Sequence, residues 1–152
     1  RMSTERLYST KRNYIVSAMA EKLKEIDGTG EYLTNLYQNV SPRLLFWDEV
    51  TEFPAVHLNA GSETRRYQAA GYKDRFLSVT IRCYVQEDDA ANALGRLLED
   101  VETLLEETTS LRYYDIKGKA HNIKQITILG IDTDEGVLEP LGVAEMQLEV
   151  HY

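Results

Sequence analysis

The stretch Phe76–Thr109, FLSVTIRCYVQEDDAANALGRLLEDVETLLEETT, changes its hydrophobic period once, and that change decides the fold. Up to Gln86 the period is two: Leu77, Val79, Ile81, Cys83 and Val85 alternate with Phe76, Ser78, Thr80, Arg82, Tyr84 and Gln86. Alternation of this kind predicts a half-buried strand with the first set facing a core. Gln86-Glu87-Asp88-Asp89 follows, where Asp88 or Asp89 can accept the free amide hydrogens of a helix start. Beyond it, Ala90, Ala91, Leu94, Leu97, Leu98, Val101, Leu104 and Leu105 recur at steps of three and four. The faces between carry Asn92, Arg96, Glu99, Asp100, Glu102, Glu106 and Glu107, with Arg96 and Asp100 one turn apart as an ion pair. The spacing predicts an amphipathic helix of about five turns, lying across the core face of the strand before it.

Outward from this unit the pattern extends a sheet. On the N-terminal side, residues 1–12 are polar and expected to be flexible, and Arg1 ahead of Met2 reads as a cloning remnant. Ile15, Val16, Met19, Leu23 and Ile26 make a second helical stripe, stopped by Asp27-Gly28-Thr29-Gly30. Tyr32, Leu33, Leu36 and Tyr37 suggest one helical turn or an ordered loop, and Ser41-Pro42 breaks the chain again. Arg43–Val50 (RLLFWDEV) reads as a first strand and Ala55–Asn59 as a second, with Val56 and Leu58 on one face. Gly61 and Gly71 bracket a polar segment that predicts one side of a long hairpin returning through Phe76–Gln86. The far end of that hairpin has little to bury itself against, so it is expected to project.

On the C-terminal side, Ser110–Asn122 is a charged, tyrosine-containing connection to which the pattern assigns no conformation. Ile123–Ile131 is strand-like with Ile126 and Ile128 on one face, followed by turns at Thr133–Gly136 and Pro140–Gly142. In the last strand Ala144, Met146, Leu148, Val150 and Tyr152 face one way, and Glu145, Gln147, Glu149 and His151 the other. One sheet face is therefore covered and the other is wet or partner-facing. The expected architecture is one α+β domain over 1–152: a mainly antiparallel sheet, a long helix on one face, an N-terminal helix and a projecting hairpin.

With 152 residues the chain can bury roughly two-thirds of its unfolded surface. Its net charge of −8 opposes a surface built to neutralise phosphates, and Arg65-Arg66 with Lys117, Lys119 and Lys124 form only an interrupted basic set. A single cysteine excludes an internal disulfide framework, which fits synthesis in a reducing cytoplasm. No apolar run approaches the ~18 to 20 residues that span a bilayer, and Arg1–Arg6 lacks the apolar core of a signal peptide, so no membrane partner is expected. Ten tyrosines against three phenylalanines suit half-buried strand positions and interfaces alike.

Chemistry-bearing motifs are scarce. His57, His121 and His151 lie far apart with no second cysteine near, so no metal site is indicated. Cys83 falls on a core face and reads as a buried thiol. No nucleophile elbow, P-loop or dinucleotide fingerprint occurs, and Gly28-Thr29-Gly30 lacks a third glycine and a preceding strand. Asp132–Gly136 fails as a calcium loop, because counting from Asp132 puts Val137 where glycine is needed and Val143 where the closing glutamate is needed. No catalytic, metal-binding or cofactor-binding residue and no cofactor can be named. The residues most suited to contacts between subunits are Arg65, Arg66, Tyr67 and Tyr72 on the projecting hairpin, where an ordinary solvated loop is the alternative.

An ordered set of segments resembles the tail terminator (tail completion) proteins of long-tailed bacteriophages. It comprises Tyr32 with Asn35–Ser41, Glu52–Val56, Gly61–Thr64 and, most strongly, Thr133–Glu145 (TDEGVLEPLGVAE) leading into the last strand. It spans Tyr14 to the end; Ser110–Asn122 does not match. The resemblance implies a non-enzymatic structural virion protein, assembled in the host cytoplasm. It implies a homo-oligomer, a hexameric ring at the head-proximal end of the tail tube that stops tube polymerisation. The implied partners are the tail tube protein and a head-completion or neck protein, with DNA passing through the ring without specific binding. A neck or connector adaptor is a second reading. A small-molecule-binding or enzymatic α+β domain is a third, from a different class.

Overall fold

The computed structural model describes residues 11–108 and 110–152. In chain order its elements are α1 (Arg12–Leu23), β1 (Val40–Ser41), β2 (Ala55–Tyr67), β3 (Lys73–Gln86), α2 (Ala90–Glu107), β4 (Arg112–Tyr114), β5 (Ala120–Asn122), β6 (Gln125–Thr133) and β7 (Leu141–His151). Five strands make one sheet in the order β1-β2-β3-β7-β6, antiparallel except for the short parallel pair β1–β2. Of the stretch expected to be flexible, residues 1–10 lie outside the described residues, and Arg12 already opens α1.

The alternating strand and the helix after it are the centre of the molecule. Leu77, Val79, Ile81, Cys83 and Val85 are all buried, and so are Ala144, Met146, Leu148 and Val150 of β7. The register sets them side by side: Leu77 opposite Val150, Val79 opposite Leu148, Ile81 opposite Met146 and Cys83 opposite Ala144. Both helices lie on this face, with α2 over β3 and β7 and α1 over β2. The carboxylate of Asp89 accepts from the Asn92 amide and starts α2. Gly142 permits the close approach, because a Cβ there would stand 2.8 Å from Val85 Cγ2 and 3.2 Å from the Ala90 carbonyl.

Five expectations change. The buried stripe of α2 uses Ala93 in place of Ala91, and it includes Asp100. Asp100 does not pair with Arg96, whose guanidinium lies 3.8 Å from Glu87; it turns inward onto the loop after α1. Helix α1 stops at Leu23, three residues early, and Ile26 is buried from the turn that follows. The second turn ends at Pro140, since Leu141 and Gly142 already belong to β7.

The fifth change is the largest: Arg43–Val50 is not a strand. The two residues Val40–Ser41 take the place beside β2, and the chain from 43 to 50 folds over the end of the open sheet face. Its only regular element is a 3-10 turn at Trp47–Glu49. Side chains replace a strand ladder: Tyr84 Oη donates to the Leu45 carbonyl at 3.2 Å, and the Leu45 amide donates to His57 Nδ1 at 3.4 Å. Tyr84 is fully buried as a result, although it belongs to the outward set of β3.

The connection that the sequence pattern left unassigned is a small hairpin of its own, β4–β5, with Leu111 and Tyr113 buried in the common core. Its turn is held by Asp115, which accepts from the amides of Lys117 and Lys119 and contacts His121 Nε2 at 2.8 Å.

Candidate functional site

The longest strands, β2 and β3, remain paired as far as Tyr67 opposite Lys73, whereas β7 ends opposite Phe76. From Arg75 onward the sheet is therefore two strands wide, and this ribbon is the projecting arm. A register shift between Ala60 and Glu63 marks its root, where Gly61 also accepts a hydrogen bond from Arg12. Such a bulge raises local twist and re-aims the strands beyond it.

The four predicted contact residues do not form one patch; they surround the arm. By register, Arg65 and Tyr67 share the helix-covered side, Arg66 lies on the open side, and Tyr72 sits just before the return strand. Arg65 Nε donates to Glu63 Oε2 at 2.7 Å. The Arg66 guanidinium stands 5.8 Å from the centroid of the Phe76 ring, and Lys73 Nζ stands 5.6 Å from that of Tyr67. Tyr67 and Tyr72 are 67% and 73% exposed, so about two-thirds of each is open to a partner.

Residues that sequence reasoning missed hold the arm at its root. On the helix side, Glu63 accepts from the Tyr152 hydroxyl as well as from Arg65. Burial presses the Glu63 pKa upward, but these two donors outweigh it and leave the carboxyl below its ordinary value. On the open side, Asp74 accepts from Gln68 Nε2 at 3.0 Å and lies 3.2 Å from His151 Nε2, while the Phe76 ring stacks on His151 at 4.5 Å. The hydrogen bonds from Gln68 and then His151 hold the Asp74 pKa below its ordinary value. The arm is clamped on both faces by the last two residues of the chain. Pairing the alternating C-terminal strand with Phe76 in this register would have found them.

At the opposite end of the sheet large apolar side chains are exposed among carboxylates. Phe46 is 73% exposed, Val137 81% and Leu138 44%. Phe46 and Leu138 frame a cleft of about 280 Å³ with Tyr84, Val143 and the ion pair Arg82–Glu145, whose atoms are 2.7 Å apart. A second hollow on the other side of Phe46 is lined by Leu44, Leu45, Glu49 and Arg82. The sequence put Phe46 in a strand, where exposure on this scale was not legible.

The three histidines stay apart. His57 is buried against Tyr84, where burial and then the charge of Arg82 hold its pKa below the ordinary value; His121 belongs to the β4–β5 turn and His151 to the arm's root. Among the described residues no group of three or more His, Cys, Asp or Glu could hold a metal ion. Burial pushes the Cys83 thiol up to about 12, away from the thiolate a nucleophile needs. In the acidic turn, Asp134 accepts from the Gly136 amide and Thr133 from the Glu135 amide, so these oxygens serve their own loop.

The family model described as Bacteriophage Tail Tube Terminator Protein matches residues 9–152. The tail tube terminator protein p142 of Escherichia phage T5 is 34% identical over 149 residues, covering 93% of this chain and 92% of that protein. Among solved structures, a chain from the virion of native gene transfer agent (GTA) particle aligns with a TM-score of 0.55 over 91% of this chain and 93% of its own. At 10% identity that likeness concerns the fold alone. A match that runs through both helices, the arm and every strand leaves no part of the fold outside it: the chain belongs to the bacteriophage tail tube terminator protein family, and it is a structural protein that caps the end of a phage tail tube.

Proposed function

We propose that six copies close into a ring at the head-proximal end of the tail tube, where the ring ends tube polymerisation and offers its far side to a head-completion or neck protein. The ring is structural and has no catalytic step of its own; it assembles in the host cytoplasm and stays in the virion, and DNA passes through it without specific binding. Neighbouring subunits meet through the arm, with Arg65, Arg66, Tyr67 and Tyr72 as the contact residues.

The observation that carries this reading is the arm. It exposes two large aromatic rings and a basic pair on a ribbon that contributes nothing to the subunit's own core. Tyrosine and arginine are the residue types that anchor interfaces when they become buried. The clamp at its root limits the ordering cost of docking it. The test is the double replacement Arg65→Glu with Arg66→Glu, read by native mass and thermal melting together. The expected result is loss of the ring with the melting transition retained. Rings of unchanged mass would leave the arm as a surface ribbon and move the contact to the open sheet face.

A further inference from the structure

We propose that the arm of one subunit seats in the Phe46–Leu138 cleft of the next, so that each copy carries both halves of one head-to-tail contact at opposite ends of its sheet. The contact deepens the ring reading above and rests on it.

Charge is the first reason. In a chain of net −8, the arm from Glu63 to Phe76 carries four basic side chains (Arg65, Arg66, Lys73, Arg75) against two carboxylates, a net +2. The two segments that frame the cleft, 44–54 and 132–145, carry eight carboxylates and no basic residue. Copies of one acidic chain repel each other in most orientations, and the arm is one of the places where the sign inverts, another being segment 110–124 with four basic side chains against Asp115. Placing the arm against the most acidic end of a neighbour is the orientation that this distribution favours.

Shape and polarity are the second reason. The cleft exposes apolar carbon on both sides, Phe46 and Leu138, around a floor that includes Tyr84 and Val143. Its one cation, Arg82, is neutralised by Glu145, so an incoming arginine or lysine meets the unpaired charge of the rim instead. The arm offers what such a site takes: Tyr72 and Tyr67 as flat rings with a polar tip, and Arg66 and Lys73 beside them.

Topology is the third. The arm lies at the start of β3 and the cleft against Arg82 and Tyr84 near its end, so that strand at about 3.3 Å per residue from Lys73 separates the two by roughly 30–36 Å. They cannot meet within one chain. A contact between two different patches repeats from copy to copy, and it closes into a ring when the rotation allows.

The experiment uses two blocked chains. One has Arg66→Glu with Tyr72→Asp on the arm; the other has Phe46→Asp with Leu138→Asp in the cleft. Each alone is expected to be monomeric by native mass. Mixed in equal amounts, they should give a one-to-one dimer and nothing larger, because one intact arm then faces one intact cleft. In parallel, a Tyr72→Cys chain mixed with a Leu138→Cys chain should form a disulfide between copies under oxidation; the native Cys83 is buried and gives no background. This pair decides the matter if a blocked chain fails to melt cooperatively. A parent ring that persists in both blocked chains, or cysteines that stay reduced inside it, overturns the arm-in-cleft contact and leaves the ring standing. A parent chain that remains monomeric at millimolar concentration overturns the ring reading and this contact with it.

Discussion

Asp100 sits mid-helix on the buried side of α2, a position where an unpaired carboxylate would be costly. It is only 2% exposed, and its two oxygens accept from the Leu33 amide at 3.0 Å, the Thr34 amide at 2.7 Å and the Thr34 hydroxyl. One acidic side chain thus ties the middle of the loop between α1 and β1 to α2, beside the loop's own Asp27–Asn35 bridge. The sequence placed Asp100 on the solvated face because its helical phase borders the apolar stripe. Nothing local distinguishes a border carboxylate in water from one that caps a distant loop, since the partners lie 66 and 67 residues away. Asp100→Ala should cost about 1–3 kcal/mol for each amide left without an acceptor. Hydrogen exchange at Leu33 and Thr34 should rise together with the loss in melting temperature; unchanged protection of both amides would show that the loop is held by other groups.

At the scale of elements, what could be read from sequence was what repeats. The two-residue period of β3 and β7 and the three-to-four period of α1 and α2 each report one continuous burial direction, and the structure follows them nearly residue by residue. Arg43–Val50 had no such repeat, only apolar content, and its conformation is set by contacts 12 and 39 residues away, His57 and Tyr84. The β4–β5 hairpin was hidden for a similar reason, being organised by the side chain of Asp115 more than by hydrophobic pattern. The arm was legible as a polar continuation of two strands, but its clamp by His151 and Tyr152 was not, because it depends on strand register. Helix packing offers a graded test. Leu97 is fully buried and Leu98 8% exposed, and truncating either to alanine should cost about 2–5 kcal/mol, with Leu97→Ala the larger loss. Equal melting temperatures for parent and Leu97→Ala would mean that α2 does not pack on β3 and β7 as described.

At the scale of the whole molecule, charge is the property that an assembly multiplies. In the proposed ring, six copies of a chain of net −8 would bring about −48 around one axis, and seating the basic arms in neighbouring clefts would neutralise part of each subunit's positive charge at the contacts. The surface left over would then be more uniformly acidic than the free subunit's. A channel that attracted phosphates would hold a passing duplex by many weak contacts, each released only by salt; an acidic one leaves the duplex loose. The chain, alone or as a ring, should therefore show no measurable duplex binding at physiological ionic strength, where fields are screened beyond about 8 Å. Binding that uses the arm should belong to the free subunit and vanish on assembly. A gel shift by the ring itself, sub-micromolar and weakened by added salt, would show that basic side chains line the axis and would overturn the acidic channel.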